Sequence, residues 1–291
     1  MINSPAPSKL PTKGSRNSDM IDYAGKTALV TGGASGIGRA LAVNLAKEGC
    51  HLALADVNEP ELRATGAMIR DGVKVSLHRV DVADLGQVHK FADDTVKEHG
   101  CADIIINNAG VVVVETLEDV TYEDFEWVFG IDFWGVVYGC KAFLPYLKKR
   151  PEAHIVNISS INAMVPLANN GPYSAAKSAV MGFTETLIQE LEGTSVRVSC
   201  VHPGGVKTNI ARNARFFKGA NPNLPQNKWV KLFDRITRTS ADQAAKVIIS
   251  GMRRNKRRIM VGTDAQLMDI LKRLAPVLTN LETGRIMRRI R

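Results

Sequence analysis

Aromatic residues make up only 6% of this 291-residue chain, and it has only six histidines. His51, His78, His89, His99, His154 and His202 show no paired ligand spacing, so no metal site is expected. The four cysteines, Cys50, Cys101, Cys140 and Cys200, lie too far apart in sequence to form a ligand pair and read as small buried thiols. Apolar runs are short, and none approaches the length needed to cross a bilayer. Ser159-Ser160 lacks a Gly-x-Ser-x-Gly context, which argues against a hydrolase. Acidic residues are scarce at one end. Residues 251–291 hold 11 Lys/Arg against 3 Asp/Glu, whereas the other 250 hold 27 and 26. The basic surplus therefore belongs to the C-terminal segment, and nucleic-acid binding by the domain is not indicated. Residues 1–20 are rich in Ser, Pro, Lys and Asn and lack the apolar core of a secretory signal. They are expected to form a disordered tail, with a cytoplasmic location as the default.

What is present is an ordinary globular composition, 45% apolar and 23% charged. Its most informative stretch is Thr31-Gly-Gly-Ala-Ser-Gly-Ile-Gly38, between an apolar run (26–30) and a helical pattern (39–47). Gly32 allows a sharp turn, Gly36 lets the backbone approach a phosphate, and Gly38 lets a helix pack close on the strand. The unpaired N–H groups of the helix start would then face a pyrophosphate. A tight turn with no ligand is the alternative.

Apolar runs alternate with helical patterns from residue 25 to 262, with no internal repeat or linker. Strands are expected near 26–30, 51–55, 74–80, 103–106, 154–158, 196–201 and 258–261. Helices are expected near 60–70, 84–99, 121–150, 173–192 and 240–254. This alternation predicts one α/β domain over 21–262, a parallel sheet of about seven strands with helices on both faces. The mixed stretch 206–239 carries Phe216, Phe217, Trp229 and Phe233, which either line an apolar pocket or pack against the core.

The unusual residues cluster where strands end, which is where open parallel sheets bind ligands. Asp56 follows Gly38 by 18 residues and can accept hydrogen bonds from ribose hydroxyls. A carboxylate there would repel a 2′-phosphate, and neither Ser35 nor Val57 supplies a compensating charge, so NAD is favoured over NADP. Arg39 lies nearby. Asp56 could instead cap a helix. Tyr173 and Lys177 stand at i and i+4, so their side chains meet on one helix face. A lysine ammonium favours phenolate, and such a tyrosine can exchange a proton with an alcohol or ketone oxygen. Ser160 can hydrogen-bond the same oxygen.

Together these residues give the stretch from about Tyr23 to Val261 a resemblance to the short-chain dehydrogenase/reductase family. Thr31-Gly-x-x-x-Gly-Ile-Gly38 resembles its cofactor motif, which draws in Ser35 and Ile37. Asn107-Asn-Ala-Gly110 resembles its sheet-stabilising motif, in which Asn108 lies near the cofactor. Ser160, Tyr173 and Lys177 match its catalytic residues, with the separation of 13 between the first two. Asp81 and Val82 fall where the family holds adenine. Pro203, Gly204, Val206 and Thr208 fall beside the nicotinamide and its phosphate, ahead of a substrate lid. The resemblance implies a Rossmann fold, a homodimer or homotetramer, and NAD(P)-dependent oxidoreduction of an alcohol or ketone. Lys177 would also hold the nicotinamide ribose.

One position departs from the family pattern. Ile131-Asp132-Phe-Trp-Gly135 puts Asp132 where the family has a catalytic asparagine. Its charge would hold Lys177 as ammonium and raise the pKa of Tyr173. Alternatively the main-chain carbonyl carries the role, or Asp132 only bends the helix. A weakened proton relay would leave an NAD-binding sensor or scaffold as the rival to an enzyme. Beyond the domain, residues 263–291 repeat apolar positions at Leu267, Ile270, Leu271, Leu274, Val277, Leu278 and Leu281, followed by Arg285, Arg288, Arg289 and Arg291. This pattern predicts one basic amphipathic helix, which covers a subunit or the substrate site, or lies on an anionic membrane.

Overall fold

Each of the apolar runs becomes a strand. They are β1 (Thr27–Thr31), β2 (His51–Asp56), β3 (Val75–Arg79), β4 (Ile104–Asn107), β5 (Ala153–Ile158), β6 (Val196–Pro203) and β7 (Arg258–Val261). In this computed structural model, which describes residues 22–69, 72–217 and 226–290, all seven pair in parallel in the order β3-β2-β1-β4-β5-β6-β7. The expected tail, Arg70 and the middle of the expected lid lie outside the described residues. The chain runs outward from β1 to β3, then returns to β4 on the other side of β1. Neighbouring loops diverge at that reversal and open a crevice over the strand ends.

The helices are α1 (Gly36–Lys47), α2 (Glu59–Ala67), α3 (Leu85–His99), α4 (Tyr122–Phe129), α5 (Gly135–Leu147), α6 (Gly171–Glu190), α7 (Gln226–Ile236), α8 (Ala241–Arg253), α9 (Thr263–Leu274) and α10 (Pro276–Ile290). Side chains alternate across the sheet. Val30, Leu54 and Ile106 meet Leu41 of α1 and Ile248 of α8 on one face. Leu29, Ile105 and Ile155 meet Phe91 of α3, Phe143 of α5 and Val180 of α6 on the other. Strands covered on both faces need unbroken apolar runs, as seen here. Local chemistry fixes the ends: Asp84 accepts from the Gln87 N–H, and Gly100 closes α3 at φ 80°.

Four expectations need correction. The helical stretch 121–150 is interrupted by a π-helical turn, Gly130–Trp134, between α4 and α5. Contrary to the sequence reading, the continuous helix Tyr122–Leu147 has the length and mean hydropathy (1.2) to cross a membrane. Half of its apolar window is buried within the protein, where Val136, Phe143 and Leu147 cover the sheet. The C-terminal helix is two helices, because Pro276 pushes Ala275 out of helical geometry (φ −141°, ψ 66°). Finally, β3 stops at Arg79, so Asp81 and Val82 belong to the loop beyond it.

The lid segment is tied down by two small parallel pairs. Val206–Lys207 pairs with Thr239–Ser240, and Arg215–Phe216 pairs with Val113–Val114. Two-residue strands carry no periodic signal, so they were not legible in the sequence.

Candidate active site

The Gly-rich turn sits at the reversal point, and its glycines are required there by space. A Cβ on Gly38 would stand 2.1 Å from the Gly32 carbonyl oxygen. A Cβ on Gly32, at φ 66°, would stand 2.8 Å from Asn108 Nδ2. Asn108 closes the turn from the end of β4: Nδ2 donates to the Thr31 carbonyl (2.8 Å), and its N–H donates to Thr31 Oγ1 (3.0 Å). Gly36 (φ 53°) faces Thr208, whose methyl lies 3.2 Å from the position of a Cβ. Ser35 precedes α1 without a side-chain cap, and Ile37 packs on the core. The N–H groups of that first turn are thus left without a side-chain partner.

Asp56 ends β2 half-buried beside this turn. One carboxylate oxygen accepts from the Ala34 N–H (3.0 Å), the other from the Asn58 N–H (2.9 Å). Asn58, not Asp56, caps α2, which removes the capping alternative. Arg39 is held elsewhere. Its guanidinium pairs with Glu61 (2.6 Å), donates through Nε to Thr65 Oγ1 (2.9 Å), and also donates to the Ala34 carbonyl.

The four candidate catalytic side chains converge. Lys177 and Tyr173 share the inner face of α6, and the Lys177 Nζ lies 5.7 Å from the Tyr173 ring centre. Ser160, at the end of β5, lies against Tyr173, where it favours the phenolate, and accepts from the Asn162 N–H (3.1 Å). Lys177 Nζ donates to the Ile158 carbonyl (3.0 Å) and stands 3.2 Å from Asp132 Oδ2. Asp132 Oδ1 accepts from the Val111 N–H (2.8 Å). The π turn aims this carboxylate inward, so Asp132 does more than bend the helix.

Burial dominates the electrostatics. It pushes the Asp132 carboxyl up, with Lys177 pulling the other way. For Lys177, burial favours the neutral amine, but Asp132 and Tyr173 outweigh it and the pKa rises. Tyr173 is raised as well, by burial first and by Asp132, with Lys177 and Ser160 opposing. The lowering expected from Lys177 is therefore outweighed, and the rise follows the direction expected from Asp132. The sequence shows the lysine at i+4 but not how far burial of the phenol opposes it.

A model of the short chain dehydrogenase family matches residues 26–218. The chain belongs to the short-chain dehydrogenase family. It is 40% identical over 259 residues to a protein named as the oxidoreductase SadH of Mycobacterium tuberculosis, covering 88% of this chain and 92% of that one. It is 35% identical over 199 residues to 1-deoxy-11-beta-hydroxypentalenate dehydrogenase of Streptomyces exfoliatus, covering 67% and 72%. Among solved structures, a short-chain dehydrogenase/reductase from Burkholderia phymatum in complex with NAD superposes with TM-score 0.78 at 31% identity, over 88% of this chain and 96% of that one.

Within this short-chain dehydrogenase, the loop after β6 completes the rim of the crevice. The Gly204 N–H donates to the Val261 carbonyl (2.9 Å), and Val206 is buried. Asp264, at the start of α9, accepts from the Gly205 N–H at 2.6 Å. A Cβ on Gly204 would meet Asp264 Oδ2 at 2.4 Å. Asp81 turns on itself, accepting from the Ala83 N–H (2.9 Å), while the buried Val82 packs where Gly135 leaves room. Phe216 packs beside Tyr173 with Val112, Val114, Ile210 and Ala214. Phe217 is exposed, and Trp229 and Phe233 are half-buried.

Sequence reasoning placed Asn107 in a sheet-stabilising motif but did not name its partners or the other supports beneath these groups. Asn107 Nδ2 donates to Asn157 Oδ1 (2.8 Å), and Asn157 Nδ2 donates to Thr184 Oγ1 (3.0 Å), fixing β4, β5 and α6 together under the site. Ser159 Oγ donates to the Lys177 carbonyl (2.8 Å). His202 Nδ1 lies 3.3 Å from the Ser160 carbonyl, and burial lowers that ring to about 4, so it is neutral and donates there. Beyond that motif, the available signal was polar residues within or beside apolar runs.

Proposed function

We propose that the chain is an NAD-preferring dehydrogenase/reductase that interconverts a secondary alcohol and a ketone of apolar character. The convergence of Ser160, Tyr173 and Lys177 at the strand ends carries this reading. A nicotinamide dinucleotide fits the crevice, because Gly36 and Gly38 keep side chains out of a turn closed tightly against Thr208 and Gly32, and the uncapped start of α1 suits a pyrophosphate. Gly32, Ser35 and Ile37 would line that turn, with Asp81, Val82 and Asn108 toward the adenine side. Pro203, Gly204, Val206 and Thr208 would flank the nicotinamide half. Asp56 would accept from ribose hydroxyls. Arg39, the nearby cation, is engaged by Glu61 and Thr65, which supports NAD over NADP. When bound, the cofactor supplies or accepts the hydride.

The chain's own residues handle the proton. With its pKa raised, Tyr173 is a phenol at neutral pH, suited to protonate an oxygen that gains charge as a carbonyl is reduced. Ser160 can donate to the same oxygen. Lys177, kept as ammonium by Asp132, stabilises the phenolate left behind and would hold the nicotinamide ribose. The apolar wall of Val112, Val114, Ile210, Ala214 and Phe216 beside the phenol favours an apolar substrate. Family membership supports a homodimer or homotetramer.

The test is absorbance at 340 nm across a panel of apolar ketones and secondary alcohols. Tyr173→Phe is expected to lower kcat by roughly 10²–10⁴-fold while NAD binding persists. Unchanged turnover would refute the assignment. The buried Asp132–Lys177 contact favours one second reading, an NAD-binding sensor. Tight NAD binding without turnover on any member of the panel would select it.

A further inference from the structure

The C-terminal extension is inside out. Its small and polar residues face the domain. Ala265 is fully buried, Asp264 holds the loop after β6, and Asp269 pairs with Arg258 of β7 at 2.6 Å. The opposite side of α9 carries Leu267, Ile270, Leu271 and Leu274, between 40% and 78% exposed. Val277, Leu278 and Leu281 continue this stripe onto α10 at 51% to 70% exposed. A helix that only completed a globular core would bury its leucines and expose its aspartates. These exposed positions are contiguous along the helices, unlike the scattered apolar residues of an ordinary surface.

We propose that α9 and α10 form a docking surface for an anionic lipid bilayer. Charge decides between this and a second copy of the chain. Residues 263–291 carry six basic and three acidic side chains, with four arginines and no acidic residue from Arg285 onward. Among those beside the stripe, Arg273 and Arg285 are well exposed while each also contacts a carboxylate of its own helix, Asp269 and Glu282. Two copies meeting through this face would set one basic surplus against another. A layer of anionic headgroups complements it, and its acyl boundary accepts the leucines.

This surface does not depend on the redox chemistry, so its test reads binding alone. The full-length protein is floated with vesicles of phosphatidylcholine alone or mixed with phosphatidylglycerol. It should float with the mixed vesicles and lose at least about tenfold in partitioning on phosphatidylcholine alone or in high salt. Leu274→Glu/Leu278→Glu, at two exposed positions, should lose at least about tenfold on the mixed vesicles with unchanged NAD binding and unchanged mass by light scattering. Failure of the full-length protein to float with the mixed vesicles would overturn the proposal. So would a double variant whose mass falls to a smaller oligomer, which would assign the stripe to a second copy.

Discussion

Asp132 differs from the family's asparagine by one atom, and its surroundings show what that atom does. Oδ1 accepts from a donor, the Val111 N–H, and Oδ2 stands 3.2 Å from the Lys177 ammonium as an ion pair without hydrogen-bond geometry. An asparagine can offer oxygen to only one of them and must turn its own amide hydrogens toward the other. Asp132→Asn should therefore cost about 1–3 kcal/mol of stability, measured by urea denaturation. It should also remove a charge that raises the Tyr173 pKa. Phenolate would then form at lower pH, and the rising limb of kcat against pH for alcohol oxidation would move down. A limb that stays in place or moves up would show that the carboxylate does not act on the phenol. The sequence allowed this reading, since the family pattern places Asp132 near Lys177. It could not show that both oxygens are engaged, because Val111 lies 21 residues away. The Asn107–Asn157–Thr184 chain was illegible for the same reason: its members have no local pattern, and only the sheet register brings them together.

At the scale of elements, the legible parts were those with a local cause. Seven apolar runs, Asp84 before α3 and Ser240 before α8 announce themselves through periodicity and capping chemistry. The π turn, the two-residue lid strands and the inverted face of α9 arise from tertiary contact and leave no such mark. Glycines separate the two kinds of constraint. Gly38→Ala would drive a Cβ against the backbone of Gly32, where nothing flexible can give way, costing roughly 3 kcal/mol or more along with cofactor affinity. Gly182→Ala, in the exposed interior of α6 with nothing within 4 Å, should stabilise by about 0.5–1 kcal/mol. Thermal melts with and without NAD would distinguish these outcomes. The start of α9 offers a third comparison. Asp264→Ala frees the Gly205 N–H beside the proposed nicotinamide site, where solvent can partly replace the carboxylate. NAD affinity should fall about three- to tenfold by titration, and Asp264→Asn, which keeps an acceptor, should recover most of it. Equal losses in the two variants would mean that the charge matters and the hydrogen bond does not.

For the whole molecule, two histidines within the sheet make stability depend on acid. His154 in β5 is fully buried, its Nε2 is 2.8 Å from Ser199 Oγ, and burial with Arg197 lowers it to about 3. His202 in β6, beside Ser160, is lowered to about 4 by burial first, with Arg258 adding to the shift and the Ser160 carbonyl and Asp269 opposing it. Both rings are neutral in the folded protein at neutral pH. The unfolded chain takes up protons near its ordinary value of about 6.5, before the folded chain does. A depressed folded pKa thus contributes stability that is fully present above 6.5 and is lost as pH falls toward 4 and then 3. Between pH 6.5 and 5, each ring should remove about 2 kcal/mol of unfolding free energy. His154→Gln keeps a hydrogen-bonding side chain for Ser199 but cannot titrate. Urea midpoints at pH 7 and pH 5 should therefore converge in this variant by about half the wild-type difference attributable to the two rings. If the variant and the wild-type lose the same stability on acidification, the charging of His154 is not coupled to opening the sheet.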